Sequence, residues 1–362
     1  MKKIIDPWGA GLPEDYERIV KDFGLEPYRN DLPEENRLMR RGIVFAGRDI
    51  AAIAGAIKKK KPFYVLSGIM PSGEKIHLGN KMVVENIAYF QKMGGKAYIL
   101  VADLEAASAR GISLEEAKKR ALNFHIPAYV ALGLDPKKTT FYFQSENKKV
   151  IHMAYEFAKK ITLNEFEAIY GSADPGRILS AITQVGDILY PQLEKPMPGV
   201  IPVGVDQDPH IRLTRDVVRR TQSKYKFVLP SSLYHKYTPS LKGGLKMSKS
   251  EQGSYIELPE DPKSACKKIQ RALTGGRKTL EEQKRLGAEI EKDMVFELMK
   301  QHLVEDDAEL QRIHDDYKGG RMSSGELKAL ACEKMTDFLE DFKSRLDKAR
   351  KNIEELNFVK FS

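Results

Sequence analysis

The stretch PFYVLSGIMPSGEKIHLGNKMVVENIAYFQKMGG, residues 62–95, decides the fold. Its first seven residues form an apolar run that reads as a strand covered on both faces. A Gly-x-x-Pro-Ser-Gly turn follows, then His-Leu-Gly-Asn, then an amphipathic run. That run puts Met82, Val83, Asn86, Ile87 and Phe90 near one helix face and stops at Gly94 and Gly95. A strand that passes through glycines into a helix N-terminus is a ready anion site, because free backbone N–H groups and the helix dipole both favour negative charge. Alone the pattern is weak, since many α/β proteins carry such turns for purely structural reasons.

Three further β-like runs repeat the theme: KAYILVAD (96–103), TTFYFQS (139–145) and GVIPVGVD (199–206). Between the second and third lies SLEEAKKRALNFHIPAYVALGLD (113–135), opened by Ser113 with Glu116 three residues on, a capping-box pattern. Strands alternating with helices predict a doubly wound parallel α/β sheet of Rossmann-like type with right-handed crossovers. Residues 147–198 are too long for a plain crossover and read as a helical insertion. From about 255 the sequence turns to Lys/Glu/Leu-rich helical segments broken by TGGRK and YKGGRMSSG. The predicted organisation is an N-terminal extension (1–50), a catalytic domain (51–254) and an all-α C-terminal domain (255–362).

With 41% hydrophobic and 31% charged residues among 362, the composition is that of a globular chain. No apolar run approaches the roughly 18 residues of a membrane span, and MKKIIDPWGAG lacks the apolar core of a signal peptide. Two cysteines, Cys266 and Cys332, cannot form a four-thiolate site, so no zinc or iron–sulfur cluster is expected and a reducing cytoplasm is the simplest setting. The net charge of +9 is uneven. The first 250 residues hold 39 of 60 basic and 27 of 51 acidic residues, a balance of +12, and the remainder carry −3. That excess permits a polyanionic partner and is equally compatible with ordinary solvated surface.

The second informative element is GGLKMSKS, residues 243–250, where Lys246 and Lys249 flank Met247 and Ser248 after two glycines. Mobile lysines can compensate charge on a displaced triphosphate; a Lys/Ser-rich surface loop is the plain alternative. The order of the two motifs, one after the first core strand and one after the last, resembles class I aminoacyl-tRNA synthetases. There they close on ATP from opposite sides of the sheet. The resemblance implies that His77, Asn80, Lys246 and Lys249 act on the phosphates. Asn80 replaces the commoner second His, and its amide can still donate. Gly68, Gly79, Met247, Ser248 and Ser250 would line the nucleotide, with Gly79 required because a Cβ would obstruct it.

DPWG (6–9), RRGIVFAGRD (40–49), VGVDQDPHIRLTRDV (203–217) and TGGRKTLEEQKRLG (274–287) narrow the resemblance to archaeal and eukaryotic tryptophanyl-tRNA synthetases, over nearly the whole chain. This implies activation of L-tryptophan with ATP and Mg²⁺, transfer to tRNA(Trp), a homodimer with the insertion at its interface, and a helical anticodon-binding domain. Gly204 and Asp206 would lie at the ribose, although Asp206 could instead cap the next helix. Gln207, Glu105 and Gln184 would face the amino acid, with Leu66 and Leu100 beside the indole. Tyrosyl enzymes place a hydroxyl-binding Tyr at the position of Leu66, and a Leu cannot satisfy a buried phenol. Human-type tryptophan enzymes carry Tyr and Gln at the positions of Leu66 and Leu100, so the acceptor for the indole N–H stays open. Arg212, Arg215, Arg219 and Arg220 could meet tRNA or form a solvated face. The alternatives are a tyrosyl-tRNA synthetase and a non-catalytic tRNA-binding paralogue.

Overall fold

In the computed structural model, residues 15–244, 246, 247, 251, 253–353 and 356–359 are described. The DPWG block and Ser248, Lys249 and Ser250 lie outside them. The strands in chain order are β1 (Glu26–Pro27), β2 (Val44–Arg48), β3 (Tyr64–Ile69), β4 (Ile76–His77), β5 (Lys96–Val101), β6 (Thr139–Phe143), β7 (Gly199–Gly204), β8 (Ser231–His235) and β9 (Glu257–Leu258). Seven form one sheet in the order β1-β2-β8-β7-β3-β5-β6. The five from β8 to β6 run parallel, and β2 joins β8 antiparallel. The chain runs outward from β3 to β5 and β6, then returns to β7 on the other side of β3. The switch point therefore lies between β3 and β7, where a doubly wound sheet opens a crevice at its carboxyl ends.

Both faces are covered, which is why the parallel strands read as apolar runs. On one face Phe63, Val65, Ile99 and Phe141 pack with Ile53, Met82, Ile87 and Phe90. On the other, Leu66, Leu100 and Tyr142 pack with the insertion through Val150, Phe157, Ile182 and Ile188. The insertion is three helices, Lys148–Ala158, Leu163–Tyr170 and Pro175–Leu189. Gly199 sits where β7 meets Tyr64; a Cβ there would fall 1.9 Å from the buried ring.

Five strands went unread in the sequence: the two-residue β1, β4 and β9 and the longer β2 and β8. β2 comes from the segment expected to be an extension before the first strand. β8 is SSLYH, whose serines and histidine are buried inside the sheet and hide its strand character. Two of the blocks that carry the resemblance are joints between these elements. Arg48 donates to both oxygens of buried Asp208, at 2.7 and 2.9 Å, and the Tyr234 hydroxyl donates to the same carboxylate. Arg215 pairs with Asp49 at 2.5 Å. So RRGIVFAGRD and VGVDQDPHIRLTRDV lock onto each other.

The C-terminal region is helical, ending in the 28-residue helix Ser324–Lys351, which Ser323 and Glu326 open with a reciprocal cap. Leu327, Ala331, Met335, Leu339, Phe342 and Leu346 bury one stripe of it. This region shares a core with the catalytic region through Ile76, Leu78, Phe124 and Met247. Short pairings also bind it to the rest: β9 to β4, and Phe358 to the edge strand at Phe141. No helix among the described residues is long and apolar enough to cross a membrane.

Candidate active site

The turn after β3 leads through β4 into the helix Leu78–Lys92, and His77 is its N-cap. The His77 Nδ1 accepts the Gly79 N–H at 3.0 Å, and the Asn80 Oδ1 accepts the His77 N–H at 3.1 Å. This reciprocal cap fixes the chemistry of both side chains. With Nδ1 accepting, the neutral imidazole carries its proton on Nε2 and presents a donor. With its carbonyl oxygen accepting, Asn80 presents its amide nitrogen, which reaches the Tyr129 hydroxyl; burial pushes that phenol up to about 12. A Cβ on Gly79 would lie 2.7 Å from the His77 ring. The glycine is therefore required by the cap itself, a nearer reason than clearance for a nucleotide.

A cavity of about 830 Å³ opens at the switch point beside this helix start. Leu66 of β3 and Leu100 of β5 line it together with Ile188. Glu105, on the helix Asp103–Arg110, accepts from the Gln184 Nε2 with both oxygens at 3.0 Å, and from Gln144 at 3.3 Å. Burial raises the Glu105 carboxyl above its usual range, and the two amides partly offset this. Asp187, one turn beyond Gln184 on Pro175–Leu189, also lines the cavity and is fully buried. It accepts from the Tyr142 hydroxyl at 2.9 Å and from the Gln144 Nε2 at 2.5 Å. Burial lifts it to about 8 against those two donors, with the charges of Glu105 and Asp103 adding a little. His210, bonded to the Tyr170 hydroxyl at 2.8 Å, is pushed down to about 3 by burial and stays neutral.

At the carboxyl end of β7 lie Gly204, Asp206 and Gln207, which line the same cavity. The Asp206 Oδ1 accepts from the Tyr237 hydroxyl at 3.0 Å. The helix Asp208–Thr221 starts from Gln207 with no side-chain cap, so the capping alternative for Asp206 does not hold. Lys246 closes this end, with Nζ 4.0 Å from the Asp206 Oδ2 and 5.1 Å above the Tyr237 ring. Met247 is buried beside it. A Cβ on Gly204 would fall 2.5 Å from the Asp206 Oδ1, so the glycine leaves room for that carboxylate.

Every predicted site residue that the structure describes therefore lines one cavity. Sequence reasoning missed Asp187, Gln144, His210 and Tyr237. The only signal for Asp187 was its spacing of three from Gln184, which puts both on one helix face. Of the four arginines of Asp208–Thr221, Arg212 and Arg215 pair inward with Asp208 and Asp49, whereas Arg219 and Arg220 pair with Asp216 and Glu165 at the exposed surface.

A helix-capping His-Leu-Gly-Asn on one side of a switch-point cavity and a Lys-Met segment on the other is the arrangement of class I aminoacyl-tRNA synthetases, which use ATP as co-substrate. Comparison with known proteins agrees. The family model for class I tRNA synthetases (W and Y) matches residues 58–340. The chain is 43% identical over 357 residues to the tryptophan–tRNA ligase of Methanocaldococcus jannaschii, covering 96% of each. It is 42% identical over 358 residues to that of Aeropyrum pernix, covering 96% of this chain and 95% of the other. The crystal structure of the A. pernix tryptophanyl-tRNA synthetase superposes with a TM-score of 0.89 at 41% identity, over 98% of this chain and 99% of that one. That of the Encephalitozoon cuniculi enzyme bound to tryptophan gives 0.85 at 27% identity, over 96% and 98%. The chain belongs to the class I tRNA synthetases and, within them, to the tryptophan–tRNA ligase family.

Proposed function

We propose that this chain activates L-tryptophan with ATP to tryptophanyl-adenylate and transfers the tryptophanyl group to tRNA(Trp). The observation that carries this reading is one cavity lined both by Glu105, Gln184 and Asp187 and by His77, Asp206 and Lys246. Glu105 and Gln184 receive the substrate ammonium, whose positive charge offsets the burial that raises Glu105. The indole lies against Leu66 and Leu100, and Asp187 accepts its N–H. As a carboxylate, Asp187 keeps acceptor capacity beyond the two donors it already holds, matched to an indole that only donates.

The tryptophan carboxylate attacks the α-phosphorus, and pyrophosphate departs. No covalent enzyme intermediate is needed, so catalysis is positioning plus charge stabilisation. Asp206 and Gly204 hold the ribose. The His77 Nε2–H and the Asn80 amide donate to phosphate oxygens at the helix N-terminus, and Lys246 follows the developing charge. Mg²⁺ arriving on the triphosphate would supply charge neutralisation for the departing pyrophosphate. Lys249, Ser248 and Ser250 complete this loop in the same reading, with Gln207 on the amino-acid side and Gly68 leaving room beside Leu100.

The helical region from about 255 would read the anticodon. Arg212 and Arg215 are paired inward, so exposed Arg219 and Arg220 and other basic residues of the first 250 would meet the tRNA backbone. A cytoplasmic homodimer completes the reading. Tyr155, Leu163 and Leu179 of the insertion are exposed apolar side chains, and sedimentation at twice the 41.0-kDa chain mass tests the dimer.

Charging assays test the function itself. A tRNA(Trp) transcript should accept tryptophan in the presence of ATP, and transcripts with a substituted anticodon should be charged at least about tenfold less efficiently. Raising salt should weaken the binding of every transcript through counterion release. Equal charging of all anticodon variants would remove anticodon reading from the helical region.

A further inference from the structure

The turn Met299–Leu303 is a single π-helical turn, a form that recurs at functional sites. It carries His302, buried at 2% exposure. The His302 Nε2 lies 2.8 Å from the Thr238 Oγ1, the one polar partner that the described residues give this ring, since its Nδ1 has none. Burial, reinforced by the positive charges of Lys81 and Arg37 and by nearby His77 and His235, holds the ring neutral.

Thr238 lines the cavity, and its carbonyl oxygen accepts the Met247 N–H at 2.8 Å. Met247 and Lys246 are cavity residues in their turn. A continuous line therefore runs from the helical region to the Lys246 end of the site. Its far end is clamped. Arg41, from the RRGI block, donates to the carbonyls of Lys300, Val304 and Glu305 at 2.7, 2.6 and 3.0 Å, and pairs with Asp307 at 2.7 Å. Arg40 holds the other oxygen of Asp307 at 2.6 Å. The turn is thus pinned on both sides of His302.

We propose that His302 is a positioning residue for adenylate formation: through Thr238 it fixes the backbone of the segment that presents Lys246 and Met247 to the nucleotide. The proposal rests on the function given above. It makes the seating of the helical region a determinant of the rate at the far end of the catalytic cavity. His302 touches neither substrate nor nucleotide, so its loss should act on turnover and leave amino-acid binding intact.

The test uses Thr238→Val, which keeps the shape and removes the hydroxyl, with His302→Leu, His302→Gln and the double variant Thr238→Val/His302→Leu in the full chain. Steady-state ATP–pyrophosphate exchange is read with amide hydrogen exchange of a peptide spanning 241–256. The expected result for Thr238→Val and for His302→Leu is a fall in kcat of at least about fivefold, with KM for tryptophan unchanged within about twofold. The double variant should be no worse than either single one, because both remove the same contact. His302→Gln, whose amide nitrogen can occupy the Nε2 position, should recover most of kcat. Hydrogen exchange at 241–256 should quicken in the two disruptive variants and not in His302→Gln. Unchanged kcat and unchanged exchange protection would overturn the proposal, as would losses that multiply in the double variant. A wild-type chain inactive with tryptophan would defeat the functional reading instead, and the hydrogen-exchange arm would still decide the contact.

Discussion

Alanine at Lys246 is expected to slow adenylate formation by about 100-fold or more, the scale on which removing one charge-stabilising donor lowers a rate. In the structure the ammonium rests between the Asp206 carboxylate, 4.0 Å away, and the Tyr237 ring. It is half-exposed, so the side chain keeps the freedom to swing onto a phosphate. On the proposed reading Asp206 holds the ribose, which would put the resting lysine beside the nucleotide. Tryptophan affinity should stay within about twofold, because Glu105 is bonded to Gln184 and Gln144 and Lys246 neighbours a different group, Asp206 and Tyr237. Single-turnover rates with equilibrium binding of tryptophan separate the two quantities. If affinity fell as far as the rate, Lys246 would be holding the cavity together and not acting on charge.

The second large effect concerns the amino-acid end. Removing Glu105 strands the substrate ammonium in a buried site, and breaking such a pair costs roughly 3–5 kcal/mol. Glu105→Ala should therefore weaken tryptophan binding by at least about 100-fold. Gln184→Ala, which removes two hydrogen bonds to Glu105, should cost about tenfold. Leu66→Val, a loss of packing alone, should be milder. Proton linkage gives an independent signature. In the ligand-free protein Asp187 is protonated below about 8, whereas an indole N–H favours the carboxylate. Binding should lower its pKa and release a proton, so affinity should rise with pH towards about 8 and then level off. Glu105, also raised by burial, shifts in the same direction when the ammonium arrives. Asp187→Asn should flatten its own share of the rise and leave that of Glu105. Calorimetry in buffers of different ionisation enthalpy counts the protons; an affinity independent of pH in the wild type would contradict the assignment of Asp187.

The parts of the fold legible in the sequence are those where one physical rule dominates. β3, β5, β6 and β7 are covered on both faces and read as unbroken apolar runs. β8 obeys a different rule: Ser231, Ser232 and His235 are buried because the strand lies inside the sheet, and nothing local reveals that. β2 was hidden because its partner β8 is nearly 190 residues away in the chain. The phosphate end of the site was legible because it is backbone chemistry, a capped helix start whose His, Gly and Asn are consecutive or nearly so. The amino-acid end was legible only through family resemblance. Asp187 escaped because a carboxylate three residues from a glutamine looks like surface until Tyr142 and Gln144 arrive from the neighbouring strand. The arginines at 212–220 read equally as a nucleic-acid face or a solvated one; Arg212 and Arg219 have partners on their own helix, and only Arg215 and Arg220 have partners distant in the chain.

The measurement that bears most directly on the account is ATP–pyrophosphate exchange by the purified chain with tryptophan and with tyrosine. Leu66 and Leu100 give the pocket apolar walls, and a pocket filled by an indole loses packing against the smaller phenol, which is worth about 100-fold in discrimination. The account predicts exchange that depends on tryptophan and is weaker with tyrosine by orders of magnitude. Equal exchange with the two amino acids, or none with tryptophan, would contradict it.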